Sequence, residues 1–303
     1  MTNDEIVDLL FDQILFNDVE IVALNKPYGI SIHANGSVDN DDDENKNRTT
    51  TNSTSQQKKC IALNQFLPNL AKKLGVKKLY TVHRLDRDTT GVLLLASTQS
   101  KAHHLSTLFR EHRIEKRYLC ITKNNPNMSK GIIDIPIENG YVNSTIKDKY
   151  NKKRIKRERM VLCPEPMESI RNGRARHQSR NARRAVTRFR VLSEEGNAAL
   201  IEVYPETGIK NQIRVHLGFG LRCPILGDNK YSNLDSLKPQ RLPSDILLRL
   251  GIRQQKARYV PMHLHAYLYN IPNAGKTGST INIRAPLPYH FRHNMRSLKL
   301  RLD

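Results

Sequence analysis

The sequence runs to 303 residues, with 50 Lys and Arg against 29 Asp and Glu, a formal net charge of +21 and 38% hydrophobic residues. That is enough chain to bury a sizeable core in one large domain or two modest ones, and the charge excess calls for a polyanionic partner: RNA, DNA or an acidic surface. The cysteines Cys60, Cys120, Cys163 and Cys223 form no Cys-x-x-Cys pair, which argues against a zinc knuckle or a secreted disulfide scaffold and for a reducing compartment; no run of about 18 apolar residues reads as a membrane span.

Along the chain, the first twenty residues hold Asp4, Glu5, Asp8, Asp12, Asp18 and Glu20 and no Lys or Arg, the reverse of a transit peptide. Either no N-terminal address is carried or the true start is missing, and residues 1–19 read as an N-terminal extension with too little chain for an added RNA-binding domain. A single catalytic unit is expected over residues 20–303. Glu20 to Leu24 reads as a short strand, stopped by the loop Asn25-Lys26-Pro27-Tyr28-Gly29. From about 35 to 59 the composition falls to Asn, Asp, Ser, Thr, Gln and Lys, too polar to offset the entropy of ordering, so a disordered insertion is expected. Apolar residues at helical spacing return at Leu63, Phe66, Leu67, Leu70 and Leu74, and again at Ala102, Leu105, Leu108 and Phe109.

Strands are expected at Gly91 to Ala96, Tyr118 to Thr122, Val186 to Leu192, Ala199 to Tyr204 and Ile281 to Arg284. Strands next to strands with helices inserted point to an α+β fold around a mostly antiparallel sheet, not a doubly wound parallel one. Residues 151–190 hold fourteen Lys and Arg and three acids. Charge runs are usually solvated, and a basic insertion over about 141–182 is read here as an RNA-contacting arm that folds partly on binding. Neutralising Arg171, Arg174, Arg176 and Arg180 within it is then expected to make RNA affinity less salt-dependent.

Three runs carry chemistry. In His83-Arg84-Leu85-Asp86-Arg87-Asp88-Thr89-Thr90-Gly91-Val92-Leu93-Leu94-Leu95-Ala96, a carboxylate between two arginines is kept ionised by the adjacent charge and fixed by the strand behind it. It suits a nucleophile or a base, and equally a structural ion pair. The run Thr207-Gly208-Ile209-Lys210-Asn211-Gln212-Ile213-Arg214-Val215-His216-Leu217 reads as a helix start capped by Thr207 and Gly208, with Arg214 turned to the sheet. In Lys116-Arg117-Tyr118 an aromatic opens a strand behind two cations. The pairs His103-His104 and His263-x-His265 each offer two metal ligands and no third, so no metal site is assigned. A metal-dependent nuclease built on Asp86 and Asp88 needs more carboxylates than these.

Together these runs resemble, in order and spacing, the RluA family of pseudouridine synthases. The family pattern is Asn-Lys-Pro-x-Gly, His-Arg-Leu-Asp-x-x-Thr-(Ser/Thr)-Gly followed by an apolar run, Lys-x-Tyr, Thr-Gly-Arg-Thr-His-Gln-Ile-Arg-Val-His-Leu, and Pro-Ile-x-Gly-Asp-x-x-Tyr, met here last as Pro224 to Tyr231. The resemblance extends to Leu264-His265-Ala266 and is nearest the animal branch of mitochondrial RNA pseudouridylate synthases, around Ser179 to Ala182, Thr207 to Lys210 and Lys256 to Tyr259. Ile209, Lys210 and Asn211 replace the bacterial Arg, Thr and His, so any role of that His is in question.

The resemblance implies the pseudouridine synthase fold, two lobes flanking a catalytic cleft. It makes Asp86 the catalytic aspartate, by nucleophilic attack or ribose proton abstraction, with Tyr118 stacking on the uracil and Arg214 pairing with Asp86. It also implies that Arg84 and His83 contact the flipped nucleotide, that Ile213 and Leu217 wall the pocket, and that Asn25 and Lys26 join the RNA contacts. The partner implied is RNA, ribosomal or transfer. No cofactor, protein partner or membrane is implied, and the chain reads as a monomer. Mitochondria are implied by the resembling branch, with cytoplasm or nucleus as alternatives. A catalytically silent RNA-binding assembly factor on the same fold is the competing reading.

Overall fold

Pairing gathers most of the strand-forming stretches into one wide sheet, and the order of that pairing sets where the cleft falls. The computed structural model describes residues 2–33, 61–147, 154–163, 181–275 and 278–302. The expected disordered insertion at 35–59, and Arg171, Arg174, Arg176 and Arg180, lie outside the described residues.

Helix α1 (Asn3–Asp12) begins at a capping box in which Thr2 and Glu5 satisfy each other's main-chain N–H groups, and it buries Ile6, Val7 and Leu10. It leads into β1 (Ile14–Asn17), which pairs with β2 (Ile21–Lys26). Residues 3–17 of the N-terminal extension thus supply a helix and an edge strand to the sheet. Strand β2 continues through Asn25 and Lys26, placed in a loop by sequence, because both pair with the next strand, at Val92 and Gly91. The helix expected from Leu63 to Leu74 divides into a 3-10 turn at Leu63–Gln65 and α2 (Leu67–Lys73), the break falling just before Pro68 in the first turn of α2.

Then come β3 (Tyr80–Thr81), β4 (Thr90–Ala96), α3 (Gln99–Arg110), β5 (Glu115–Lys123), β6 (Lys130–Asp134), β7 (Ile137–Lys147), β8 (Arg154–Leu162), β9 (Val186–Glu195) and β10 (Ala198–Pro205). After β10, α4 (Gln212–Val215) runs into a wider turn at His216–Gly220. The chain ends with α5 (Ser244–Leu250), β11 (Leu264–Ile271), β12 (Ile281–Arg284) and α6 (Tyr289–Ser297). Among the described residues, the main sheet has ten strands ordered β1-β2-β4-β11-β5-β10-β9-β6, with β12 on β11 and β3 on β4. All its pairs are antiparallel except β4 with β11. That is the mixed, mostly antiparallel α+β architecture expected.

Every residue of β4 is buried, as an unbroken apolar run covered on both faces requires. Two rows of residues cross the middle of the sheet: Thr90, His265, Leu119 and Glu202 in one, Gly91, Ala266, Tyr118 and Val203 in the next. The loop before β4, the start of β5 and the segment after β10 therefore meet at one place.

Strands β7 and β8 form a separate two-stranded sheet, tied at its base by a bridge between Ile137 and Arg183. Part of the basic stretch read as an RNA-contacting arm is therefore folded against the body. Arg159 is 5% exposed, donates to the carbonyls of Lys230, Asn233 and Leu234, and lies 4.7 Å from the Phe219 ring centre. Its charge is spent inside the protein.

Candidate active site

A cleft of about 710 Å³ opens where those segments meet. One wall is the 82–89 loop. It is tied down before it reaches β4: His83 Nε2 accepts the main-chain N–H of Leu94 at 2.8 Å while its ring stacks on Phe109 at 4.4 Å. Burial holds that imidazole down to about 3, so it stays neutral and able to accept. Lys26 fastens the same loop from below. Only 1% exposed, its ammonium donates to the carbonyls of Pro27, Ile30 and Arg87, each at 2.9 Å. Burial pulls it down to about 7, opposed by Asp88 and Asp86.

The floor comes from β5 and β11. Tyr118 is 8% exposed, and its hydroxyl shares a 2.6 Å hydrogen bond with that of Tyr269. Burial pushes the Tyr118 phenol up to about 12, so it is a neutral group at any ordinary pH. Two residues earlier on the same strand face, Lys116 also lines the cleft, and burial pulls its ammonium down to about 8.

The far wall is the segment 205–214. The expected cap at Thr207 and Gly208 does not form, because the helix starts only at Gln212, after Asn211 in the left-handed region at φ 55°. Thr207 instead accepts the Val186 N–H and donates to Gln212 Oε1, which also accepts the Ile209 N–H. The Gln212 amide nitrogen donates to Val186 O and Thr187 Oγ1, which pins the segment to β9.

Asp86 stands between the walls. Its Oδ2 accepts from Arg214 Nη1 at 3.1 Å and from Asn211 Nδ2 at 2.7 Å. Arg214 is in turn gripped by Asp228, Nε to Oδ2 at 2.8 Å and Nη2 to Oδ1 at 3.0 Å, the two-pronged geometry that fixes a guanidinium in plane. Burial works against its charge, and Asp228 and Asp86 outweigh that and raise the group well above its ordinary value. The Asp228 carboxylate also accepts the N–H groups of Lys230 and Tyr231, and the Tyr231 ring lies under the guanidinium at 4.9 Å.

The structure thus brings Asp86, Tyr118, Arg214, Arg84, His83 and Ile213 to one cleft. Asn25, Lys26 and Leu217 do not line it. Asn25 donates at 3.4 Å to the carbonyl of Pro286, Lys26 is consumed by main-chain carbonyls, and Leu217 is wholly buried in the core. Three residues hold the site that sequence reading gave no role: Asp228 and Tyr231, within the matched Pro224 to Tyr231 run, and Asn211, noted only as a departure. Nothing in the pattern signalled Tyr269.

Among the described lining residues Asp86 is the one carboxylate, beside Arg84, Arg110, Lys116, Arg183, Arg184, Lys210 and Arg214. A cleft lined by one sign of charge focuses potential toward a polyanion. Asp88 is engaged by Arg87 through hydrogen bonds of 3.2 and 3.3 Å. Among the described residues no three His, Cys, Asp or Glu side chains group to hold a metal. His265 bonds Thr90 Oγ1 and the Ala285 carbonyl, while His263 bonds the Leu226 carbonyl and Asn294. No helix among the described residues is long and apolar enough to cross a membrane.

Comparison with known proteins gives the class: residues 20–218 match the RNA pseudouridylate synthase family, and the chain belongs to it. It is an RNA pseudouridine synthase of the RluA type, an isomerase. It is similar to the mitochondrial pseudouridylate synthase RPUSD4 of Homo sapiens, 38% identical over 293 residues covering 95% of this chain and 70% of the relative. The mitochondrial mRNA pseudouridine synthase RPUSD3 of Homo sapiens is 24% identical over 327 residues, covering all of this chain and 80% of that one. The solved structure of human RNA pseudouridylate synthase domain containing 4 superposes with a TM-score of 0.77 at 36% identity, over 99% of this chain and 98% of that one.

Proposed function

We propose that Asp86 carries the isomerisation, acting on a uridine turned out of structured mitochondrial RNA, ribosomal or transfer, into this cleft. The observation behind this reading is that Asp86 is the one carboxylate among the described residues lining a cationic cleft, aimed by Arg214 and Asn211. The reaction breaks the N1–C1′ bond, rotates the uracil and joins C5 to C1′; the proton lost from C5 is balanced by one gained at N1. Attack at the ribose as a nucleophile and removal of a ribose proton both place the carboxylate within about 3 to 3.5 Å of the reacting atom. Tyr118, fixed by Tyr269, stacks on the uracil and stands beside C5. Arg84 contacts the flipped nucleotide, and Ile213 walls the pocket.

Turning out a paired uridine costs a few kcal/mol of unstacking. The cleft cations, together with Arg171, Arg174, Arg176 and Arg180, offset that cost by binding phosphates. Mitochondrial RNA is the substrate this reading favours because the relatives quoted carry that location in their names. In the test, Asp86→Ala abolishes pseudouridine formation in RNA while RNA affinity survives. Modification at the wild-type rate in that variant overturns the assignment of Asp86. Mapping pseudouridine in mitochondrial, cytoplasmic and nuclear RNA from cells with and without the protein decides the substrate, and loss confined to the latter two overturns the mitochondrial reading.

A further inference from the structure

Both side-chain hydrogen bonds of Asp86 fall on one oxygen. Arg214 Nη1 and Asn211 Nδ2 meet Oδ2, and among the described residues no hydrogen bond to Oδ1 is found. Asn211 is 5% exposed and holds a left-handed φ of 55°, a conformation that asparagine tolerates better than most residues. Which way round its amide points follows from a chain of hydrogen bonds whose direction is fixed at the far end. The main-chain N–H of Met160 in β8 can only donate, and it donates to the Tyr231 hydroxyl at 3.2 Å. That hydroxyl's own proton goes to Asn211 Oδ1 at 3.0 Å. Asn211 is left with its Nδ2 toward Asp86. Turned over, the amide would set its N–H groups against the Tyr231 proton and its oxygen against the carboxylate.

We propose that Asn211 is a positioning residue for Asp86, oriented by the chain from Met160 through Tyr231, and that it leaves Oδ1 as the oxygen that acts on the ribose. This rests on the reading of Asp86 as the catalytic group. Arg214 supplies charge, but it is committed to Asp228 by two bonds and offers Asp86 only Nη1. A single donor leaves the carboxyl free to swivel about that bond. A second donor on the same oxygen, from a different direction, fixes its plane, and catalytic groups need placement to within about 0.5 Å and 10–20°. The chain starts in the β7–β8 hairpin, so the fold of that hairpin is felt at the carboxylate.

The full chain is assayed by tritium release from total RNA labelled at uridine C5 and taken from cells lacking the protein, measuring both the rate at saturating RNA and the half-saturating concentration. Asn211→Asp keeps size and backbone preference but loses the donor, and Asn211→Gly removes the side chain without backbone strain. Each is expected to lower the saturated rate by roughly tenfold or more, as loss of a hydrogen bond to a charged group implies, with half-saturation within about twofold. Asn211→His, which restores an N–H donor and tolerates the left-handed backbone, is expected to recover most of the rate.

Tyr231→Phe keeps the ring beneath Arg214 and loses the hydroxyl. It is expected to slow the reaction by about threefold, and by nothing further once Asn211 is glycine, the non-additivity of groups acting in one chain. Wild-type rates in folded Asn211→Gly and Tyr231→Phe, with Asp86→Asn inactive, overturn this proposal alone. An active Asp86→Asn overturns the reading of Asp86 instead. Should Asn211→Gly fail to fold, Asn211→Asp and Tyr231→Phe decide, and a full loss of rate in Asn211→His overturns the role of the donor.

Discussion

On one side of the cleft the 82–90 loop is held by side chains bonding to main chain: His83 to the Leu94 N–H, Lys26 to the Arg87 carbonyl. On the other, the 205–231 segment is held by side chains bonding to side chains: Arg214 to Asp228, Asn211 to Tyr231, Thr207 to Gln212. The first arrangement rests on a rigid strand, and loss of either side chain leaves only neutral main-chain groups unpaired. The second leaves a buried charge. The two walls should therefore fail differently, and the second should fail harder.

Asp228→Ala tests this most severely. Removing one partner of a buried ion pair costs about 3–5 kcal/mol, and Arg214 then keeps only its single bond to Asp86 and is no longer held in plane. Denaturant unfolding should show that loss, with modification lost as well; a change below about 1 kcal/mol would mean that the pair holds nothing. On the opposite wall, His83→Leu strands the Leu94 N–H at a cost of about 1–3 kcal/mol, and His83→Gln, which supplies an acceptor, should recover part of it. The two His83 variants also sharpen the pH dependence.

Because the folded His83 value lies near 3, below the 6.5 of a free imidazole, acid protonates the unfolded chain first. Stability present above pH 6.5 is lost as pH falls toward 3. Stability measured between pH 6 and 4 should fall less steeply in His83→Gln than in wild type, by up to about 1.4 kcal/mol per pH unit. An identical slope would show that this imidazole titrates normally. His263 and His265, held down to about 3 and about 4 by burial, lose stability over the same range in both proteins.

The smallest effect on stability belongs to Arg183 and Arg184, exposed at the lip of the second wall. Arg184 makes one ion pair with Asp134 at 3.7 Å, with both side chains mostly exposed, and such pairs contribute little. Changing both arginines to Gln should leave the melting temperature alone. The log–log salt slope of RNA affinity should flatten by roughly 0.7 to 0.9 for each phosphate that is no longer neutralised. An unchanged slope would place the RNA elsewhere.

The same contrast explains what the sequence disclosed. The first wall is one contiguous run, and its strand reads as an unbroken apolar stretch, so Asp86 and β4 were legible together. The second wall joins residues 211, 214, 228 and 231 through a left-handed residue and a turn, geometry that no local periodicity encodes. The bounds of strand β11 escaped the reading, although His263-x-His265 suits a core strand, because His263, His265 and Tyr269 read as polar or ambiguous. Each is buried and satisfied by a hydrogen bond that exists only after folding. Hairpin β7–β8 was hidden by its own charge, since nothing in a run of Lys and Arg marks Arg159 as the one that turns inward. Lys26 misled in the same way: a lysine after an asparagine and before a proline looks like a surface loop, until its three donors find three carbonyls.

Gly91, just beyond the Asp86 loop, sits at φ 106° where β4 meets β11 in parallel, and a Cβ there would strike the carbonyl of Ala266. The only parallel pairing among the described strands of the main sheet, two residue pairs long, thus depends on an atom that is not there. For inheritance this means a position with no conservative alternative: even alanine, the mildest exchange elsewhere in the chain, would pry β4 from β11 and carry the Asp86 loop with it. Variation around this enzyme's active site is bounded by that hydrogen as firmly as by any charged group that touches its substrate.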